Sequence, residues 1–281
     1  MSETTVKKPA LFDRIFKPEH IVLENGHSVD RPKSRTPLIL IILAVIIYVS
    51  AQATGFDFSV ITSRFNQFGV ILGKIFQPNW SYFPKVVTPL IETIQMSIVG
   101  TIIGCLIGLP LAIFASNNIN TNKPTLVIIR VFLSIMRSVP TLIYASVLAL
   151  IYGLGTFAGT LAIIIFTVGI VAKMLYESIE TIDMKPYEAM VSFGASTFRA
   201  FWTACMPQIL PTYIDDCLYC FELNVRASSI LGYVGAGGLG VLIRERTGLR
   251  AYNDLGMVLL ALFIVVWLID ILNDSIRQRI S

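Results

Sequence analysis

The chain has 281 residues, 54% of them hydrophobic and only 14% charged, with a mean hydropathy of +0.71. Soluble domains carry about 25% charged residues, so this deficit points to lipid as the solvent. The net charge of +4 contains no basic run interleaved with aromatics, which argues against a nucleic-acid partner and leaves the charge to loops that orient helices.

In chain order, residues 1–36 read as a polar tail with no cleavable signal peptide. Lys7, Lys8, Arg14, Lys17, Arg31, Lys33 and Arg35 place that tail in the cytoplasm, because basic residues concentrate on the inner side. The first apolar run, 37–54, is the first transmembrane helix, and 55–85 follows as an external interfacial segment. Its stretch VITSRFNQFGVILGKIF is amphipathic and suited to lying along a membrane surface. Further apolar runs at 86–115, 125–150, 156–176, 208–230 and 255–273 are each near the ~20 residues that cross a hydrocarbon core of about 30 Å. They are continuous rather than alternating, so helices are expected and not strands. A short turn at 152–155 joins the third run to the fourth. Six crossings return the chain to the cytoplasm with Arg277 and Arg279 inside, although Arg244, Arg246 and Arg250 then fall outside, offset in part by Glu245 and Asp254. Gly100, Gly104 and Gly108 give overlapping GxxxG patterns and predict a close helix seam. Pro110 is expected to kink or end its helix.

The segment 177–207 is expected in the cytoplasm, and YEAMVSFGASTFRAFWTACMPQILP at 187–211 is too polar and interrupted to span a membrane. Pro186 suits a first helical turn, and Gly194 a helix end or sharp bend. A second short helix over 196–205 is expected to stop before Pro207. Tyr187, Val191, Phe198, Phe201 and Trp202 are then available for burial, against the membrane surface or under another protein.

This stretch resembles the EAA loop of binding-protein-dependent ABC importer permeases, whose pattern is Glu-Ala-Ala, three residues, Gly, nine residues, Ile-x-Leu-Pro. Glu188, Ala189, Met190, Gly194 and Pro207 stand at that spacing, with Met190, Ala204 and Met206 replacing the family's Ala, Ile and Leu. LNVRASSILGYVGAGGLG at 223–240 and the run 137–141, RSVPT, resemble the phosphonate-type branch, and methionine-type permeases carry similar Gly-rich segments. The resemblance, over about residues 86–275, implies an all-α polytopic membrane protein with six transmembrane helices and a type I, methionine-importer-like permease core. It implies a homodimer or a pair of close relatives in the bacterial inner membrane, two copies of a separate ABC ATPase, and an extracytoplasmic substrate-binding protein. Glu188 to Gly194 would be the coupling helix. The substrate would be phosphonate, phosphite or a phosphate ester. Methionine or another amino acid is the alternative, and an ATPase-independent secondary transporter a more distant one; no internal repeat supports the latter. A channel or membrane scaffold would need no EAA pattern. The chain has no GxxxxGK[ST] pattern, so ATP and Mg belong to the partner and this chain is no enzyme.

Other residues carry two readings each. Gly235, Gly237 and Gly240 spell GxGxxG, but no βαβ unit surrounds them, so a Gly-rich bend bordering the pathway is expected and not a dinucleotide site. Glu222 and Arg226 are spaced for a helical ion pair; with Asn224 they either line the passage or its outer gate, or tie helices together. Arg137 shares a helix face with Arg130 and either meets an anionic substrate or is structural. Asp215 and Asp216 are candidates to pair with Lys173 or Arg130. Cys105, Cys205, Cys217 and Cys220 read as buried thiols and not as a metal site.

Overall fold

The computed structural model describes residues 19–22, 28–31 and 36–280. Most of the tail 1–36, including Lys7, Lys8, Arg14, Lys17, Lys33 and Arg35, lies outside the described residues. The chain divides into two units, 1–67 and 68–281.

The first unit contains a short antiparallel hairpin, β1 (Glu19–Val22) and β2 (Ser28–Arg31), in register from Glu19↔Arg31 to Val22↔Ser28. These are the only strands among the described residues, and the all-helical expectation did not include them. Helix α1 (Thr36–Ala53) has a mean hydropathy of 2.2 and buries no residue, as a helix solvated by lipid would. Helix α2 (Phe58–Ser63) is capped by Asp57, whose Oδ1 accepts from the Ser59 N–H at 2.8 Å. Helix α3 (Phe65–Ile75) begins here and runs into the second unit.

In the second unit a 3₁₀ turn (Trp80–Tyr82) leads into α4 (Phe83–Ala115). Helices α5 (Lys123–Ser138), α6 (Thr141–Tyr152) and α7 (Thr156–Thr181) follow. Next come α8 (Lys185–Ser192), α9 (Thr197–Ala200), a π turn (Phe201–Cys205) and α10 (Met206–Leu231). A 3₁₀ turn (Gly232–Val234), α11 (Leu239–Gly248) and α12 (Tyr252–Ile280) complete it. Among the described residues four helices are long and apolar enough to cross a bilayer, and two bent pairs raise the number to as many as six.

Three boundaries differ from the sequence reading. The run 125–150 is not one helix: α5 and α6 are bent by 86° across extended Val139 and Pro140. A residue before proline is driven out of the helical region, which breaks the run without lowering its hydropathy. Pro110 does not end α4, which continues to Ala115. Pro207 does not stop the chain after 205 but occupies the first turn of α10, where its missing N–H costs nothing.

The centre of the unit is the α4–α7 seam. A Cβ on Gly100 would overlap Ile163, one on Gly104 would lie 2.5 Å from Thr167 Cβ, and one on Gly108 would lie 3.3 Å from Val171 Cγ1. Three glycines a turn apart therefore receive three β-branched side chains of α7, also a turn apart. Backbones approach closely where lipid offers no hydrophobic drive for association.

Candidate functional site

The α8 segment is a rigid projection. Pro186 stands in its first turn, and Asp183 Oδ1 accepts the Lys185 N–H at 3.0 Å just before it. The helix ends in a Schellman motif: the Ala195 N–H donates to Met190 O at 3.0 Å and the Gly194 N–H to Val191 O at 2.9 Å. Gly194 takes φ +86, the left-handed value this motif demands. Ser196 then caps α9, accepting from the Arg199 N–H.

The base of the projection is buried. Tyr187, Ala200, Phe201, Cys205 and Met206 pack with Ala112 and Ala115 of α4, Leu133 of α5, and Leu175 and Ile179 of α7. Burial pushes the Tyr187 phenol above its ordinary value, and Cys205 adds to the shift. Gln208 Nε2 donates to Ala204 O at 2.7 Å and to Asp183 O at 3.2 Å, tying both ends of the segment together. Behind it, Arg130 pairs with Glu180, donates from Nε to Ala115 O at 2.9 Å and stacks 4.7 Å from the Tyr176 ring. Glu180 also accepts the Asn117 N–H at 2.8 Å.

The tip is different. Glu188, Ala189, Ser192 and Gly194 are exposed, Met190 is half-buried, and Pro207 is exposed at the start of α10. Phe193 is 92% exposed and Phe198 73%, with Val191 and Trp202 also open. Of the aromatics offered for burial, this chain therefore buries Tyr187 and Phe201 and leaves Phe198 and Trp202 outside. Glu188 lies in the first turn of α8, where the helix dipole favours a carboxylate.

The intramembrane candidates occupy separate places. Asn224 is buried, and its Nδ2 donates to Thr101 of α4 and Thr167 of α7, each at 2.8 Å. Ser228 meets Ser97 at 3.0 Å a turn further on. Glu222 and Arg226 form their expected ion pair, and Asp270 of α12, a residue the sequence reading passed over, stands 3.5 Å from Arg226. Asp215 pairs with Arg277 of α12 at 2.5 Å, Lys173 with Glu177, and Arg130 with Glu180, so the pairings suggested for Asp215 are overturned. Asp216 is buried without an ion pair. The antiparallel α10–α12 contact, and not spacing along the chain, chooses these partners. Arg137 packs its stem against Gly169, where a Cβ would lie 3.0 Å from Arg137 Cγ.

At the end opposite α8, Gly235, Gly237 and Gly238 all take positive φ. Gly235 O accepts the Gly155 N–H at 2.8 Å, and Gly237 leaves only 3.0 Å between its Cβ position and Thr156 N. Thr93 Oγ1 accepts the Leu239 N–H at 2.9 Å, and Glu92 accepts from Gly238, so α4 caps α11. Gly240 is helical and makes room for Gly232 and Ser229 instead. Cys105, Cys205 and Cys220 are buried, Cys217 is half-buried, and all four are free thiols.

Residues 108–281 match the family described as binding-protein-dependent transport system inner membrane component. The chain is 30% identical to the phosphite transport system permease protein PtxC of Stutzerimonas stutzeri, over 86% of this chain and 88% of that protein. It is 35% identical to the phosphate-import permease protein PhnE of Mycolicibacterium smegmatis over 69% of this chain, but spans only 36% of that longer protein. Among solved structures, a chain of the MetNI methionine ABC transporter in an inward facing conformation superposes with a TM-score of 0.65 at 25% identity, over 72% of this chain and 99% of that one.

Proposed function

The chain belongs to the family of binding-protein-dependent transport system inner membrane components, and on that premise we propose that it forms the translocation path of an ABC importer for a phosphorus oxyanion. Phosphonate, phosphite or a phosphate ester is the cargo, a reading supported by the phosphite and phosphate import relatives. The observation that carries the coupling role is the α8 segment. A Schellman-closed helix is anchored in a buried cluster from α4, α5, α7 and α10, yet it presents Val191, Phe193 and Phe198 to the outside. Such a tip needs a protein groove, and a separate ATPase that binds ATP and Mg supplies it. Glu188, Ala189, Met190 and Gly194 form the docking helix, and Pro207 begins the helix that carries its motion inward.

One chain supplies one docking helix, so two copies serve two ATPase subunits. The α8 end and both termini face the cytoplasm, and an extracytoplasmic binding protein delivers cargo at the end bearing Gly235 and Gly237. ATP binding draws the docking helices together and reorients the bundle; hydrolysis resets it.

The test is reconstitution of the chain with its ATPase and binding protein in proteoliposomes. ATP-dependent uptake of methylphosphonate or phosphite, with none of methionine, is the expected result. Methionine uptake alone would move the chain to the amino-acid alternative, and uptake without an ATPase would remove the ABC assignment.

A further inference from the structure

A guanidinium at membrane depth is costly unless something answers its charge. Among the described residues several cations along the membrane helices are answered within the chain. Arg226 has Glu222 and Asp270, Arg277 has Asp215, Lys173 has Glu177, and Arg130 has Glu180. Arg137 differs from these: among the described residues no carboxylate pairs with it, and its Nε is buried without a hydrogen-bond partner.

Its depth follows from its neighbour. Gly169 lies midway along α7, between Thr156 and Thr181, and receives the Arg137 stem. Thr167, two residues earlier and about 200° around the helix, faces Asn224 on the opposite side. Arg137 is thus held at mid-bundle on the α5 face of α7, away from the buried Asn224 network.

The backbone around it is built to hold it. Arg137 lies in the last turn of α5, beside the 86° elbow. Non-helical backbone at membrane depth is tolerated only inside protein or along a water-filled cavity. At the elbow, Tyr144 OH donates to Met136 O at 2.9 Å, an acceptor that Pro140 cannot serve because it has no N–H. Arg137 itself is only half-buried.

We propose that Arg137 is the residue through which this chain contacts the phosphorus oxyanion during passage, and that Glu222, Arg226 and Asp270 are instead a clamp between α10 and α12. The proposal rests on the oxyanion reading above. A planar fork of N–H donors matches two oxygens of a phosphonate or phosphite, and a charge-assisted bidentate pair is the strong form of that contact. Arg226 is the poorer candidate. It already faces two carboxylates, so its cluster carries a net negative charge that repels an anion.

The experiment uses the complete transporter in proteoliposomes, with labelled methylphosphonate and phosphite as probes. Because the binding protein sets much of the apparent KM, the readout is uptake per ATP hydrolysed. Arg137→Gln is expected to lower that ratio by ~10- to 100-fold, the range for losing a charged hydrogen bond. Stimulation of ATPase activity by loaded binding protein should persist. Arg137→Lys, which keeps the charge and loses the fork, should fall between the two. An unchanged ratio in Arg137→Gln overturns the proposal. A parallel loss of ATPase stimulation, assembly and thermal stability, restored by Lys, also overturns it, by making Arg137 a structural cation paired with protein. If the unaltered transporter moves neither probe, the oxyanion reading itself fails, whatever the Arg137 variants do.

Discussion

Replacing Gly104 by alanine tests the central seam with a single methyl group. The added carbon would lie 2.5 Å from Thr167 Cβ and 2.7 Å from its Cγ2. Carbon contacts are comfortable near ~3.5–4.0 Å, so the helices must part by roughly 1 Å or Thr167 must turn away. Parting them loosens Gly100 and Gly108 as well, because all three sit on one face of α4. Turning Thr167 gives up the 2.8 Å bond its hydroxyl accepts from Asn224. Overpacking costs about 1–3 kcal/mol, and an interhelical hydrogen bond in a membrane protein contributes about 0.6 kcal/mol on average. The expected destabilisation is therefore about 2–4 kcal/mol, or roughly 4–16 °C in melting temperature for a domain of this size. Gly108→Ala is the internal control. Its methyl would meet Val171 Cγ1 at 3.3 Å and Ala172 N at 3.4 Å, which small shifts relieve. Thermal denaturation of the purified detergent-solubilised variants reads both. If Gly104→Ala melts together with Gly108→Ala, the seam does not have the tightness assigned to it.

At Gly194 the surroundings are open, so Gly194→Ala suffers only its φ of +86, a penalty of about 1–2 kcal/mol. It should weaken ATPase stimulation with little change in the stability of the membrane helices. Phe193→Asp, at a side chain 92% exposed, should leave the chain folded and abolish co-purification with the ATPase; retained assembly would show that the tip is not the docking face. Arg130→Gln leaves Glu180 without its cation and Ala115 O without its Nε donor, and should cost about 1–3 kcal/mol in thermal stability. Asp270→Asn should weaken the α10–α12 clamp and lower thermal stability, an effect that disappears when Arg226 is already Gln, as a double-mutant cycle would register.

Much of this architecture was legible because it depends on local chemistry. A long apolar window is a property of composition, and so is the four-residue glycine repeat that became the α4–α7 seam. The Gly194 helix end was legible for a related reason: only glycine adopts a left-handed C′ position at no steric cost. What the sequence hid was long-range. Asp270 stands in the last apolar run, and nothing local says that antiparallel packing brings it to Arg226. The same packing gives Asp215 to Arg277, 62 residues away in the chain. Prolines were ambiguous and not silent. Pro140 breaks a run that hydropathy alone makes continuous, while Pro207 opens a helix at a place where a proline equally suits a helix end. The distinguishing signal for Pro140 was Val139, a β-branched residue that proline pushes into extended backbone.

The two assignments, docking at α8 and an anion contact at Arg137, meet in α7. Leu175 and Ile179 near the end of that helix lie in the cluster that anchors α8, and Gly169, near its middle, carries the Arg137 stem. Between these points α7 contains no proline and no break, so a displacement of α8 would be passed to Gly169 along one continuous helix. The α4 glycines hold the other side of α7 closely, so α4 must move with it. Shape change then has to be absorbed where backbone is already irregular: at the α5–α6 elbow on one side, and at the bend of Gly235, Gly237 and Gly238 beyond α10 on the other. Arg137 sits at the first of these hinges. On the two proposals above, a docking-helix displacement would alter the setting of Arg137, and closure of the ATPases would be linked to release of the anion without any contact between the two sites.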